Sequence, residues 1–486
     1  MNVFDYLFAT TQHLEKDFVL GPKETISFKK LHEDSLKIAS YLKVNVGQNQ
    51  NVVLISPNSV FFITVYLGIL KSGNVCVPLN FSIEQDNLDF IIEATNCRNV
   101  FMADTLQSKQ QLSNKVNLID EDHFNEIINK QELVLFDPDI DKSSLAEIVY
   151  TSGSTGLPKG VMISHQNIIA NTQSIIEYLS LTSKDIMQVV LPFFYCYGLS
   201  LLHTHLRVGG SIVLNNSFIF IGSVINDLKR YRCTGFAGVP SHYQILLKKS
   251  QSFKTTDFPD LRYVTQAGGK LHDVFIDEFI DTFPKIAFFV MYGQTEATAR
   301  LSYLPPHMVS VKKGSIGKGI PGVSLRVVNE KGEEVSIGEE GELMAKGDNI
   351  MIGYYNEPEE TSKTIINGWL HTGDIAEFDQ DGYLYLKARK KEIIKVGGKR
   401  VSPKEIEEVI LSVPQVVDCT VTGIDDDVLG ESILATIVLD NPKDEAQMRE
   451  VILSKCAEKL SLYKIPQKIV FENSISMSPT GKKIKK

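Results

Sequence analysis

Ten residues, Thr151-Ser152-Gly153-Ser154-Thr155-Gly156-Leu157-Pro158-Lys159-Gly160, combine four hydroxyl side chains, three glycines and one ammonium. Glycine lets the backbone approach a ligand closely and turn its N–H groups onto anionic oxygens. Gly153 and Gly156 supply that freedom. The hydroxyls of Thr151, Ser152, Ser154 and Thr155 add short donors, and Lys159 adds positive charge. The chemistry suits a polyphosphate. The run differs from the P-loop of GTPases, where glycine directly precedes the lysine; here Pro158 does. A loop of this composition alone is as often an ordinary turn, so its meaning depends on the order of its residues and on what surrounds it.

Such a cradle needs a rigid element to present it. Ile148-Val149-Tyr150 is apolar and β-prone and predicts the end of a buried strand. Upstream, residues 51–56 predict a short strand, and Pro57-Asn58-Ser59 caps a helix bearing Phe61, Phe62, Val65, Tyr66 and Leu70. Gly73 stops that helix and Val75-Cys76-Val77-Pro78 returns as a strand. The rhythm recurs to about residue 150 and predicts a mainly parallel, helix-covered sheet. After the cradle, a helix runs from Ser164 to about Leu179, and strand–helix alternation continues to Tyr292-Gly293. From residue 314 glycines are dense, and helical periodicity is lost until about residue 403. The reading is an α/β chain. A large N-terminal domain of helix-covered sheets spans 1–390, with a small β-rich subdomain at about 314–390. An α+β C-terminal domain spans 391–486, with helices near 403–412 and 444–462 and strands near 416–423 and 432–439.

The 486 residues exceed what one core holds. A formal net charge of −9, with no basic block in the body of the chain, argues against nucleic acid as a partner. The six cysteines include no C-x-x-C pair, which removes zinc-ribbon and thioredoxin-like readings and suits a reducing cytoplasm. No signal peptide precedes the body, and no apolar run is long enough to span a bilayer.

The cradle resembles the phosphate-binding signature of the AMP-forming adenylating enzymes, the superfamily of acyl-CoA synthetases, luciferases and peptide-synthetase adenylation domains. Five further segments match in order. Tyr292-Gly293-Gln294-Thr295-Glu296 lies just past a predicted strand, where open α/β sheets bind ligands. The resemblance implies that Tyr292 stacks on adenine, Thr295 contacts phosphate and Glu296 holds Mg²⁺. Gly368-Trp369-Leu370-His371-Thr372-Gly373-Asp374 implies Asp374 as the ribose ligand, since an Asp accepts two hydroxyls bidentately. Arg389-Lys390-Lys391 resembles the hinge, with Arg389 on the nucleotide and Lys391 as pivot. Gly397, Gly398, Lys399 and Arg400 match a loop that borders the thiol channel in coenzyme A ligases. Lys482, directly after Gly481, matches the terminal catalytic lysine.

The resemblance, closest to acyl- or aryl-CoA ligases, implies a two-step acid–thiol ligase using ATP and Mg²⁺. An acyl-adenylate and pyrophosphate form first. The C-terminal domain then rotates as a mobile lid, and the acyl group passes to the thiol of coenzyme A or to the phosphopantetheine of a free-standing acyl carrier protein. Intact Glu296, Asp374, Arg389 and Lys482 weigh against a non-catalytic nucleotide-binding relative. Amino-acid-activating members carry an Asp near the segment that here reads Phe193-Phe194-Tyr195-Cys196-Tyr197-Gly198, which has no acid. A carboxylic acid other than an α-amino acid is expected. Tyr195 and Tyr197 would line its pocket with Gly238, Val239, Ala267, Gly268 and Gly269.

Overall fold

The computed structural model describes residues 1–106, 112–113, 115–132, 140–151, 158–390, 392–426, 429–440 and 445–475. Ser152, Gly153, Ser154, Thr155 and Gly156 of the cradle, the pivot Lys391 and the terminal Lys482 lie outside the described residues. Among the described residues, strands form sheets of fourteen, seven and five.

The seven-stranded sheet carries the cradle. Its strand Leu145–Thr151 runs parallel to Val75–Leu79, which continues through Asn51–Ile55 and Asn99–Met102 to Asn117–Ile119. Residues 146–149 of the cradle strand are all buried, as in a sheet covered on both faces. The helix Val60–Ser72 begins where Ser59 Oγ accepts from the Phe62 amide at 3.0 Å and ends at Gly73, whose φ of 78° is left-handed. On the other side, Leu145–Thr151 pairs antiparallel with Lys159–Ser164, and Thr151 is the Cα partner of Lys159. The two described ends of the cradle, Thr151 and Lys159, are therefore held in register.

The fourteen-stranded sheet has a parallel run, from Asp17–Leu20 through Ser211–Leu214, Ile186–Val189, Gly235–Gly238 and Tyr263–Gln266 to Ala287–Tyr292. The strands of the β-rich stretch pair with one another and, through Ser315–Gly319, join the parallel run. They extend the same sheet antiparallel, through Ser302–Leu304, Ser315–Gly319, Leu384–Arg389, Trp369–Phe378 and Gly341–Gly347 to Val323–Val328. One short strand of that stretch, Gly353–Tyr354, leaves and pairs with Lys159–Ser164 of the other sheet. The stretch expected to lack helices holds one, Pro358–Thr364. Proline at its first position presets φ and needs no amide partner, and Glu359 and Glu360 suit the positive end of the helix dipole. Seven residues are too few to show a periodicity in sequence.

The five-stranded sheet, including Val416–Asp426 and Gly430–Leu439, packs with the helices Pro403–Leu411 and Glu445–Lys459. Polar contacts join this part to the rest of the protein: Lys270 Nζ lies 2.7 Å from Glu408, Gln244 Nε2 donates to Asp418 at 3.3 Å, and His272 stands 4.0 Å from Glu407.

A buried polar triad ties the cradle strand to its neighbours. The Tyr66 hydroxyl lies 2.8 Å from both Glu147 Oε2 on that strand and His203 Nε2 on the helix Cys196–Val208. Burial raises the Glu147 carboxyl from its ordinary 4.5 to about 7, against the lowering effect of the Tyr66 hydrogen bond. Burial lowers His203 from 6.5 to about 3. A carboxyl raised on folding contributes stability that is full below pH 4.5 and lost as pH rises through about 7. Glu147→Gln removes that dependence. The stability difference between variant and wild type is expected to move in the variant's favour by ~3 kcal/mol between pH 4.5 and pH 8. The His203 contribution, which runs in the opposite sense, cancels in the difference. Denaturant midpoints for both proteins across this range check it, and a pH-independent difference would refute the raised carboxyl.

Candidate active site

The strand Ala287–Tyr292 ends at the first candidate residue, Tyr292. The chain then turns sharply: a Cβ added to Gly293 would stand 2.1 Å from the Ala299 carbonyl oxygen, so no other residue fits. Thr295 and Glu296 follow in a single 3₁₀ turn. Thr298, at a φ of 63°, holds a strained conformation because its hydroxyl donates to the Asn349 carbonyl at 2.7 Å. Asn349 in turn donates to the Arg300 carbonyl at 2.7 Å, and the Met351 amide donates to the Glu296 carbonyl at 2.9 Å. Residues 349–351 thus clamp the Tyr292–Glu296 segment.

Asp374 is brought to Tyr292 by sheet register. It lies on Trp369–Phe378 directly opposite Arg389 on Leu384–Arg389. Its Oδ1 accepts from Arg389 Nε at 3.1 Å, and its Oδ2 accepts from the Tyr292 hydroxyl at 2.6 Å. Asp374 is buried, and burial together with its charge holds the Tyr292 hydroxyl well above its ordinary pKa, so that hydroxyl stays a donor. Each carboxylate oxygen keeps a further lone pair for a ligand hydroxyl.

Glu296 Oε1 accepts from the Tyr354 hydroxyl at 2.8 Å. The ring of Tyr354 lies 5.4 Å from Lys159 Nζ, and Lys159 is paired with Glu360 at 2.7 Å. Among the described residues no group of three or more His, Cys, Asp or Glu could hold a metal ion. Glu296 is thus a single hard oxygen donor, linked through Tyr354 to Lys159 at the described end of the cradle. That fits Mg²⁺, which takes one or two carboxylates and completes its shell with phosphate oxygens and water.

Thr295 Oγ1 stands 3.6 Å from Cys196 Sγ, which joins this cluster to the start of the helix Cys196–Val208. Tyr195, just before that helix, is half-buried. Tyr197 is buried. Its hydroxyl lies 2.8 Å from Thr265 Oγ1, and its ring stands 3.9 Å from the Arg300 guanidinium. Gly238 and Ala267 are buried, Gly268 is half-buried with a φ of 85°, and Gly269 is exposed. In the hairpin that follows Ile394–Val396, Gly397 and Gly398 take φ values of 55° and 79°. Lys399 lies over the Tyr463 ring and Arg400 faces Glu330, so in this arrangement their contacts are not with the nucleotide cluster.

The structure therefore gathers Arg389, Asp374 and Tyr292 into one set of contacts and Glu296, Tyr354 and Lys159 into another, with Thr295 on the short segment that joins Tyr292 to Glu296. Sequence reasoning missed Asn349, Tyr354 and Glu360, which complete these contacts. Only Gly353-Tyr354-Tyr355-Asn356, a glycine followed by aromatic residues in a glycine-rich stretch, could have drawn attention to them.

A model of the AMP-binding enzyme family matches residues 8–355, and one of the AMP-binding enzyme C-terminal domain matches residues 405–482. The chain belongs to the AMP-binding enzyme family. Among relatives within it, 4-coumarate–CoA ligase-like 6 of Arabidopsis thaliana is 30% identical over 93% of this chain and 83% of that protein. The long-chain-fatty-acid–CoA ligase of Salmonella typhimurium is 28% identical over 98% of this chain and 91% of that one. The solved structure of O-succinylbenzoate coenzyme A synthetase from Bacillus subtilis, in complex with ATP and magnesium ion, superposes with a TM-score of 0.87. It is 25% identical, and the match covers 99% of this chain and 98% of that one. As a family member this chain is an AMP-forming acid–thiol ligase that works through an acyl-adenylate. Among the described residues no helix is long and apolar enough to cross a membrane.

Proposed function

We propose that this ligase activates a carboxylic acid other than an α-amino acid and delivers the acyl group to coenzyme A. The observation that most supports it is the placement of two contact sets at the two ends of one short segment: Arg389 and Asp374 on Tyr292 at its start, and Tyr354 with Lys159 on Glu296 at its end. Ribose, metal and phosphate ligands of one nucleotide would form one surface there.

A carboxylate is a poor electrophile, and a triphosphate repels it. Charge neutralisation and alignment matter more here than acid–base chemistry. Asp374 accepts the ribose hydroxyls, with Arg389 and Tyr292 fixing its orientation. The cradle from Thr151 to Lys159 and the Thr295 hydroxyl hold the phosphates. Mg²⁺ on Glu296, when bound, neutralises phosphate charge. Lys482 stands between the substrate carboxylate and the α-phosphate. A carboxylate oxygen attacks the α-phosphorus, the bond to the β-phosphate oxygen breaks, and pyrophosphate leaves. The chain divides at residues 390 and 391. The C-terminal part turns about Lys391, withdraws Lys482 and brings in Gly397 to Arg400. The thiolate then attacks the acyl carbonyl and AMP departs.

The acid lies against Tyr195, with Tyr197 behind it and Gly238, Val239 and Ala267 to Gly269 opposite. The absence of an acidic side chain from Phe193 to Gly198 leaves an α-ammonium group without a partner in that segment. Six buried cysteines, none of them in a disulfide, support a cytoplasmic setting.

A panel of carboxylates tests the reading. Acid-dependent exchange between pyrophosphate and ATP is expected, with AMP as the nucleotide product and Mg²⁺ required. Thioester is expected with coenzyme A. Release of ADP and phosphate with every active acid would overturn the reaction class. Thioester formed only on a phosphopantetheinylated carrier protein would overturn the acceptor.

A further inference from the structure

Lys159 closes the cradle, and the strand pairing of Thr151 with Lys159 holds it there. Its ammonium is not directed at the cradle alone. Nζ lies 2.7 Å from Glu360 Oε2, and the Tyr354 ring covers it on another side. Lys159 is only 19% exposed at its side chain, so the contact is partly shielded from water. Glu360 reaches it because the short helix Pro358–Thr364 follows directly on Gly353–Tyr354, which is paired to the Lys159 strand. The second oxygen of Glu360, Oε1, faces Lys363 Nζ at 3.4 Å. Glu360 therefore stands between two ammonium groups, one on the strand that follows the cradle and one on its own helix.

This arrangement has a consequence for binding. A polyphosphate in the cradle brings several negative charges next to Lys159. If Lys159 keeps Glu360, the phosphates meet a carboxylate at close range. If Lys159 turns to the phosphates, Glu360 keeps Lys363 and is not left unpaired.

We propose that Glu360 is the resting counter-ion of Lys159, exchanged for phosphate oxygens when the nucleotide binds and taken back when pyrophosphate leaves. The exchange lowers affinity for both ATP and pyrophosphate and so speeds product release. The inference rests on the reading of Lys159 as a phosphate ligand.

Equilibrium binding of ATP and of inorganic pyrophosphate to the full chain, measured by calorimetry without acid or thiol, tests it. Glu360→Gln is expected to tighten both ligands about three-fold, the range of a partly exposed ion pair. Glu360→Ala should act in the same direction, which separates loss of charge from any new contact of the amide. Lys159→Met should weaken both ligands, and Glu360→Gln should have no further effect in that background. ATP serves as probe there, because Asp374 and Arg389 still hold it. Weaker binding by Glu360→Gln, or equal tightening with and without Lys159, would overturn the exchange. No loss of affinity in Lys159→Met would instead remove Lys159 from the phosphate site and leave the counter-ion idea without a basis.

Discussion

Lys482→Ala is expected to slow acyl-adenylate formation by a factor on the order of 10²–10³, the usual cost of removing one group that meets charge developing in the transition state. Thioester formation from supplied acyl-adenylate should be nearly unchanged, because the role proposed for Lys482 is confined to the meeting of carboxylate and α-phosphate. Lys391→Pro is the complementary variant. Proline fixes φ and restricts the residue before it, so turning about this position is hindered. Adenylation should survive and transfer to the thiol should collapse. Single-turnover pyrophosphate release, run beside thioester formation from synthetic adenylate, separates the two steps. If each folded variant loses both steps equally, rotation of the C-terminal part is not the mechanism.

Asp374→Ala should raise the KM for ATP by a factor on the order of 10²–10⁴. Two hydrogen bonds to a charged acceptor are lost at once, each worth about 1.5–3 kcal/mol. On the proposed reading the loss has two sources: the ribose hydroxyls would lose their acceptor, and Arg389 and the Tyr292 hydroxyl lose theirs. Deoxynucleotides separate them. Wild type should prefer ATP over its 2′- and 3′-deoxy analogues, and Asp374→Ala should treat the three alike. Asp374→Asn keeps an oxygen for Tyr292 but loses the charge that holds Arg389, so its effect should be intermediate. If Asp374→Ala still discriminates against the deoxy analogues, Asp374 supports Tyr292 and Arg389 without touching ribose.

The strands and helices of the N-terminal half were legible because their signals are local. The apolar run at residues 51–55, the Ser59 cap and the Gly73 stop each act within a few residues, and the structure repeats them. The β-rich stretch was legible as strands but not as a partner of the parallel sheet. Edge pairing such as that of Ser302 with Gly319 joins segments whose sequences carry no mark of one another. The helix Pro358–Thr364 was hidden by its brevity. Tyr66, Glu147 and His203 could not be connected from sequence, since each alone suits a core, and only burial together raises Glu147.

By itself the sequence determined the chemistry available: a hydroxyl- and glycine-rich cradle, an acid after a strand, a second acid, an arginine, and a lysine near the end. Those residue types follow from what phosphate, ribose and carboxylate require, and they stand in ordered, local runs. Only the tertiary structure decided how the described parts meet. Cross-strand register sets Asp374 against Arg389, and the Tyr292 hydroxyl closes on the same carboxylate. A two-residue strand, Gly353–Tyr354, crosses from one sheet's sequence neighbourhood to the other's edge, and so brings Tyr354 to Glu296 and Glu360 to Lys159. The physical reason is range: a hydrogen bond or ion pair acts over about 3 Å in space, whatever the separation along the chain, and Lys159 and Glu360 stand 201 positions apart.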